Sequence, residues 1–262
     1  MSTVFVDTHA HLYDEKFAGD LPETIARAEA AGVRQIISMG DTMAASEQVV
    51  AAAEEYPALY AAVGIHPESA CALTDEACAQ LLTWTKHPKV VAVGEIGLDY
   101  YWEKDPDIRA LQRELFAAQL GVAREAGLPI CIHDREAHGD TLAILQTEGK
   151  GLAGVLHCYS GSLEMARVLW KMGYCIGIDG PLTYKNAAKL PEIVREAPRE
   201  SLLIETDSPY LAPVPLRGKR NEPAYVVFVA EKIAELRGET VEEVARYTTE
   251  NARRIYPKLG RS

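Results

Sequence analysis

Six residues of this chain, His9, His11, Glu95, His133, His157 and Asp207, are of the types that hold a divalent cation or move a proton. Imidazole nitrogens suit zinc, and carboxylate oxygens suit magnesium or manganese. Each stands at the downstream end of a short apolar run rich in β-branched residues. In Val4-Phe5-Val6-Asp7-Thr8-His9-Ala10-His11 the histidines are two apart, so strand alternation turns both to one side, where they can share an ion. A pair of ordinary polar loop residues is the competing reading.

Val90-Val91-Ala92-Val93-Gly94-Glu95 ends an apolar run with a carboxylate, and a buried anion is costly unless it meets a cation. Glu95 is thus a candidate bridge between two ions, with a structural salt bridge to an arginine such as Arg135 as the alternative. His133, after Pro129-Ile130-Cys131-Ile132, and His157, after Gly154-Val155-Leu156, repeat the arrangement. Either alone reads equally as a satisfied core histidine. Asp207, after Leu202-Leu203-Ile204-Glu205-Thr206, can join the ion of His9 and His11 if the first and last strands are neighbours. Its second oxygen can then take the proton of an attacking water. Glu205 is expected to orient a ligand through a hydrogen bond, or to serve in a structural ion pair. Four imidazoles and two carboxylates suffice for two divalent ions (Mg, Mn or Zn), with Asp207 and Glu95 as the catalytic pair.

Ligands so far apart in sequence meet only if the fold gathers strand ends. Strand-like runs occur at Val4–Asp7, Gln35–Met39, Leu59–Val63, Val90–Glu95, Pro129–His133, Gly154–His157, Tyr174–Gly177 and Leu202–Glu205, with helical patterns between them. This βα alternation predicts a parallel sheet, and eight units in 262 residues favour an α/β fold of (β/α)₈ TIM-barrel type, one domain over residues 1–262. An open doubly wound sheet is the runner-up. Leu21, Ile25, Ala28 and Ala31 share a helix face before Gly32; Leu111, Leu115, Ala118 and Val122 share another before Gly127. Helices are also predicted over Pro223–Leu236 and Thr240–Tyr256, the latter with Thr240 as N-cap and Glu243 completing a capping box. The proline-rich stretch Ser208–Pro223, directly after the eighth strand, reads as an active-site loop.

The composition, 48% hydrophobic and 25% charged, argues against disorder and against a membrane protein. Met1–Val6 has no signal-peptide pattern and no apolar run reaches membrane-spanning length, which predicts a cytoplasmic protein with no membrane association. Cys131, Cys158 and Cys175, among five cysteines, fall in or beside strands and read as reduced, buried thiols. A net charge of −11 opposes indiscriminate adhesion to nucleic acid, so a polyanionic substrate needs a local basic rim. Arg135, Lys185, Arg217, Lys219 and Arg220 are the candidates, each equally readable as solvated surface. His66, in Gly64-Ile65-His66-Pro67, is expected to touch a substrate phosphate or a metal-bound water. No Ser or Cys stands beside a base in a nucleophile motif, which favours direct attack by water.

These segments carry a resemblance. Phe5-Val6-Asp7-Thr8-His9-Ala10-His11-Leu12, Gly64-Ile65-His66-Pro67, Gly94-Glu95-Ile96-Gly97-Leu98-Asp99-Tyr100, Pro129-Ile130-Cys131-Ile132-His133-Asp134-Arg135, His157-Cys158-Tyr159-Ser160-Gly161 and Ile204-Glu205-Thr206-Asp207-Ser208-Pro209 together resemble the TatD family of metal-dependent hydrolases, over essentially the whole chain. The resemblance implies a (β/α)₈ barrel, a divalent metal site, magnesium- or manganese-dependent DNase or phosphodiesterase activity, and ligand roles for His9, His11, Glu95, His133, His157 and Asp207. Tyr13 departs from the pattern, since many relatives carry an acidic residue there; here Asp14 follows. With the acidic charge, the expected substrate is nucleic acid, as single-stranded DNA or DNA ends cut exonucleolytically, with no obligatory protein partner. Two rivals stand: amidohydrolase-like attack on an ester or C–N bond (a lactone, a small amide, an aminoacyl-tRNA ester), and a non-enzymatic metal-binding module.

Overall fold

Parallel strands covered on both faces are apolar almost throughout, and the eight runs of this chain are built that way. A computed structural model describes residues 3–72 and 74–260, so the first two residues of the Met1–Val6 segment lie outside the described residues. The strands are β1 (Phe5–Ala10), β2 (Val33–Met39), β3 (Leu59–Val63), β4 (Val90–Asp99), β5 (Ile130–Arg135), β6 (Gly154–Leu156), β7 (Cys175–Ile178) and β8 (Leu202–Ile204). They pair in parallel in the order β1 to β8. A parallel bridge between Ala10 and Ser208 closes the ring. Beside it the His11 N–H donates to the Ser208 carbonyl at 2.7 Å and the Asp207 N–H to the His9 carbonyl at 2.9 Å. The closed seam makes the fold a (β/α)₈ barrel and removes the open sheet from consideration.

Around the strands run α1 (Leu21–Ala30), α2 (Met43–Glu55), α3 (Asp75–Thr85), α4 (Pro106–Ala126), α5 (His138–Thr147), α6 (Leu163–Met172), α7 (Leu190–Glu196), α8 (Val226–Arg237) and α9 (Val241–Ile255). Their ends follow from local chemistry. In α4 the Asp105 carboxylate accepts the Asp107 N–H, Pro106 opens the first turn, and Gly127 ends the helix in the left-handed region at φ 64°. The capping box of Thr240 and Glu243 is present on α9. Two helix expectations need correcting. The segment from Pro223 starts with a 3₁₀ turn, Pro223–Tyr225, before α8 begins. Leu111 is exposed, and the buried face of α4 instead carries Gln112 and Gln119 beside Leu115 and Phe116.

Apolar side chains fill two layers. Val6, Ile37, Ala62, Val91, Cys131, Val155, Cys175 and Leu203, one from each strand, pack inside the barrel, and Ile255 at the end of α9 joins them with Tyr256 and Leu259 beyond it. A second layer, including Phe5, Ile36, Leu59, Leu115, Phe116 and Leu169, lies between strands and helices. Each large side chain so buried stabilises the fold by roughly 1.5–3 kcal/mol before entropy is counted. No helix among the described residues is long and apolar enough to cross a membrane. All five cysteines are free, with Cys131 and Cys175 buried.

Candidate metal centre

The downstream strand ends open into one mouth. Strands β1, β4 and β5 run further than the sequence pattern indicates, so His9, Glu95 and His133 lie inside strands rather than at their ends. The reason is backbone pairing: Ile96 to Asp99 of β4 continue in register with Ile132 to Arg135 of β5. The ladder is irregular between Asp7 and Ala10 in β1, and between Val93 and Ile96 in β4. Irregularities of this kind re-aim side chains, and these two bracket His9 and Glu95. His157 follows β6 directly, and Asp207 adopts φ 55°, a left-handed backbone that is strained for a residue other than glycine.

The structure brings the six candidates together. His9 Nε2 lies 3.1 Å from His11 Nε2, 3.4 Å from Glu95 Oε2 and 3.6 Å from Asp207 Oδ1. His11 Nε2 is 3.5 Å from Glu95 Oε2 and 3.3 Å from Asp207 Oδ1. Four donors placed tetrahedrally about 2.0–2.1 Å from a zinc-like ion stand about 3.4 Å apart, so this quartet has the dimensions of a coordination shell. The other oxygen of Glu95 faces a separate set. Its Oε1 is 2.7 Å from His157 Nε2, 2.9 Å from His133 Nδ1 and 3.7 Å from His66 Nε2. Three groupings have ligand atoms close enough to hold an ion: His9, His11 and Asp207; His9, Glu95 and His157; and His66, Glu95 and His133. His66 therefore stands beside the donor cluster, its ring 4.4 Å from that of His133 and partly open to solvent.

Charge makes the case for a cation more sharply than distance does. Glu95 and Asp207 are buried, yet among the described residues no lysine or arginine forms an ion pair with either, and Arg135 is not the partner of Glu95. Burial alone drives the Glu95 carboxyl up, but His157 and His9 with hydrogen bonds from His133 and His157 hold it well below its ordinary range. Asp207 is likewise depressed against its burial, through His11, His9 and His157. The imidazoles answer in kind. Despite burial, Glu95 and Glu205 raise His157 well above its ordinary value, and Asp99 and Glu95 raise His133. In the His66 ring, burial and the neighbouring His133 push the value down to about 3, leaving it neutral. The cluster is a buried donor set whose carboxylates pair, among the described residues, only with its own histidines, and divalent cations fit it.

Carboxylates stand behind two of these donors, where such partners orient a ligand. Glu205 Oε1 accepts the Cys158 N–H at 2.6 Å and stands 3.6 Å from His157 Nδ1. Asp99, which the sequence pattern did not single out, lies 2.9 Å by Oδ2 from His133 Nε2. It stands four residues after Glu95, on the part of β4 that pairing with β5 extends. Asp179, just after β7, is also buried with an unpartnered oxygen, and burial raises its carboxyl well above the ordinary range. Asp7 accepts hydrogen bonds from the Thr206 amide and hydroxyl at 2.9 and 2.6 Å, and burial pushes it up to about 8. Tyr13 donates its hydroxyl to Asp41 and sets its ring edge-on to His11 at 6.0 Å.

The basic rim divides. Arg135 is exposed and lies on the Tyr101 and Trp102 rings, Arg217 lies 4.3 Å over Tyr184, and Lys185 and Lys219 are solvent-exposed. Arg220 is engaged elsewhere: it binds both oxygens of Asp20 at 2.6 and 2.7 Å and covers Phe17, so it serves the fold rather than the rim.

Comparison with known proteins agrees with this centre. The family model of TatD related DNase matches residues 6–257. The metal-dependent hydrolase YabD of Bacillus subtilis is 47% identical over 251 residues, covering 95% of this chain and 98% of its own. The 3'-5' ssDNA/RNA exonuclease TatD of Salmonella typhimurium is 35% identical, covering 95% and 98%. Among solved structures, the TatD homologue YjjV of Escherichia coli superposes with a TM-score of 0.91 at 34% identity, over 98% of this chain and 99% of that one. A barrel of this order, with this donor cluster at its mouth and these relatives over nearly its full length, belongs to the TatD family of metal-dependent hydrolases.

Proposed function

We propose that the protein is a two-metal phosphodiesterase that removes nucleotides from the ends of single-stranded DNA or RNA. The observation that carries the reading is the division of Glu95, whose two oxygens face separate imidazole sets in a buried pocket free of lysine and arginine ion pairs among the described residues. His9, His11 and Asp207 would hold one divalent ion and His133 and His157 the other, with Glu95 between them. When bound, such ions supply Lewis acidity and a water acidic enough to attack at neutral pH. Asp207 Oδ1 faces the histidines, and its second oxygen accepts the proton of the attacking water. Glu205 keeps His157 in place, and Asp99 does so for His133. Neutral His66 donates to a phosphate oxygen, while Arg135 and Lys185, with Arg217, draw the polyanion to a mouth that an overall charge of −11 otherwise disfavours. The relative from Salmonella typhimurium named as a 3'-5' ssDNA/RNA exonuclease supports the substrate class. A reducing, cytoplasmic setting agrees with the free cysteines.

The test is metal-stripped protein incubated with an end-labelled single-stranded oligonucleotide and magnesium, manganese or zinc in turn, alongside Glu95→Ala and Asp207→Asn. Metal-dependent shortening that both substitutions abolish is the expected result. Absence of cleavage with every metal, together with turnover of a lactone or amide, overturns the reading in favour of an amidohydrolase.

A further inference from the structure

One wall of the mouth exposes two large aromatic rings that the metal chemistry leaves unused. Between β4 and α4 the chain leaves Trp102 63% and Tyr101 44% exposed. Such exposure in a loose loop would mean little, but this loop is pinned. Asp99 Oδ1 accepts the Tyr101 and Trp102 N–H groups at 2.9 and 3.0 Å. Lys104 Nζ donates to the Tyr100 carbonyl, and Arg109 donates to the carbonyls of Glu103 and Tyr100 at 2.9 and 3.0 Å. The two rings meet edge to face, 4.7 Å apart at 83°. The Arg135 guanidinium lies 4.0 Å from the Tyr101 centroid and 5.5 Å from that of Trp102. Beside Trp102 opens a cleft of about 430 Å³ lined by Pro67, Glu68, Trp102, Glu103, Ile108 and Gln112.

We propose that this cleft is a base subsite, in which an unpaired nucleobase of the substrate strand stacks on Trp102 while the backbone passes on the Arg135 side toward the metal centre. The inference rests on the phosphodiesterase reading and adds to it where the strand is gripped. Three features select a base. Trp102, Pro67 and Ile108 in the lining offer apolar surface to a π face, and stacking on aromatic rings is the usual grip on single strands. The carboxylates of Glu68 and Glu103 repel phosphate, so the sugar-phosphate chain is drawn out of the cleft to the Arg135 guanidinium, which lies against the Tyr101 and Trp102 rings. Asp99 joins the parts: one oxygen holds the aromatic loop and the other holds His133, which fixes the stacked base relative to the site of cleavage. A base paired within a duplex has no free face to offer, so the cleft favours single strands.

The test compares wild type, Trp102→Ala and Trp102→Phe, each supplied with manganese, on a single-stranded oligonucleotide and on bis(p-nitrophenyl) phosphate, a diester without bases. The ratio of kcat/KM for oligonucleotide over diester should fall about ten-fold or more in Trp102→Ala, through KM, and recover largely in Trp102→Phe. Tryptophan fluorescence of the wild type should be quenched by the oligonucleotide and not by one of the same length with abasic sites. An unchanged ratio in Trp102→Ala, or equal quenching by the abasic strand, overturns the subsite. Quenching by the oligonucleotide in a wild type that hydrolyses neither substrate would instead reject the phosphodiesterase reading and leave the base cleft standing.

Discussion

Glu95 behaves as it does because, among the described residues, its ion-pair partners are all histidines. Replacing it with alanine leaves mutually repelling imidazoles, and on the two-metal proposal bound metal, measured by elemental analysis after dialysis, should fall by at least one equivalent. Asp207→Asn keeps an oxygen donor but loses the proposed base. We expect kcat on an oligonucleotide to fall by roughly 10²–10⁴-fold with bound metal largely retained. Asp99→Asn should weaken metal binding about 10–100-fold, with activity restored by added metal, a recovery that simple misfolding would not show. The six donors were legible in the sequence because each breaks an apolar run with a polar residue near a strand end. Asp99 was not, because it lies at the end of an extension of β4 that exists only through pairing with β5. Asp179 obeys the same rule as the six, just after β7.

At the scale of elements, the positions of eight strands could be read from alternation of apolar runs with helical faces, whereas the two ladder irregularities could not, since they depend on which neighbour each strand meets. The long helix α4 shows a similar limit. Its periodicity points to Leu111 as a core residue, yet the fold turns Gln112 and Gln119 inward to meet backbone at the mouth. Gln119 accepts the Ile65 N–H at 2.8 Å and donates to the Ile65 carbonyl at 2.9 Å, while Gln112 accepts the Asp99 N–H at 3.0 Å. These amides hold two mouth segments, one of which carries His66. Gln119→Leu leaves both Ile65 groups without their partners and should cost about 2 kcal/mol in urea unfolding. It should also lower oligonucleotide turnover; unchanged turnover in the folded variant would show that the Ile65 contact does not position His66.

For the molecule as a whole, the donor cluster links stability to pH and to metal. Without metal, His157, His133 and His11 hold protons more tightly in the folded chain than in the unfolded one, where the value is 6.5. The stability they supply is complete below pH 6.5 and is lost as pH rises through their raised folded values. Glu95 and Asp207 work in the opposite sense, supplying stability above their unfolded values of 4.5 and 3.8 and losing it in acid. Metal replaces those protons, so its stabilisation should grow with pH. Calorimetry should find a rise in Tm of about 5–10 °C at a hundred-fold excess over Kd, with a given metal concentration raising Tm more at pH 8 than at pH 6. Equal gains at the two pH values would count against proton displacement. The seam between β1 and β8 gives this linkage a place in time. Its backbone bonds are made by His9, His11, Asp207 and Ser208, three of them candidate ligands. A refolding chain therefore completes its donor quartet only in the step that joins its first strand to its last, and the uptake of metal becomes a clock for the closing of the ring.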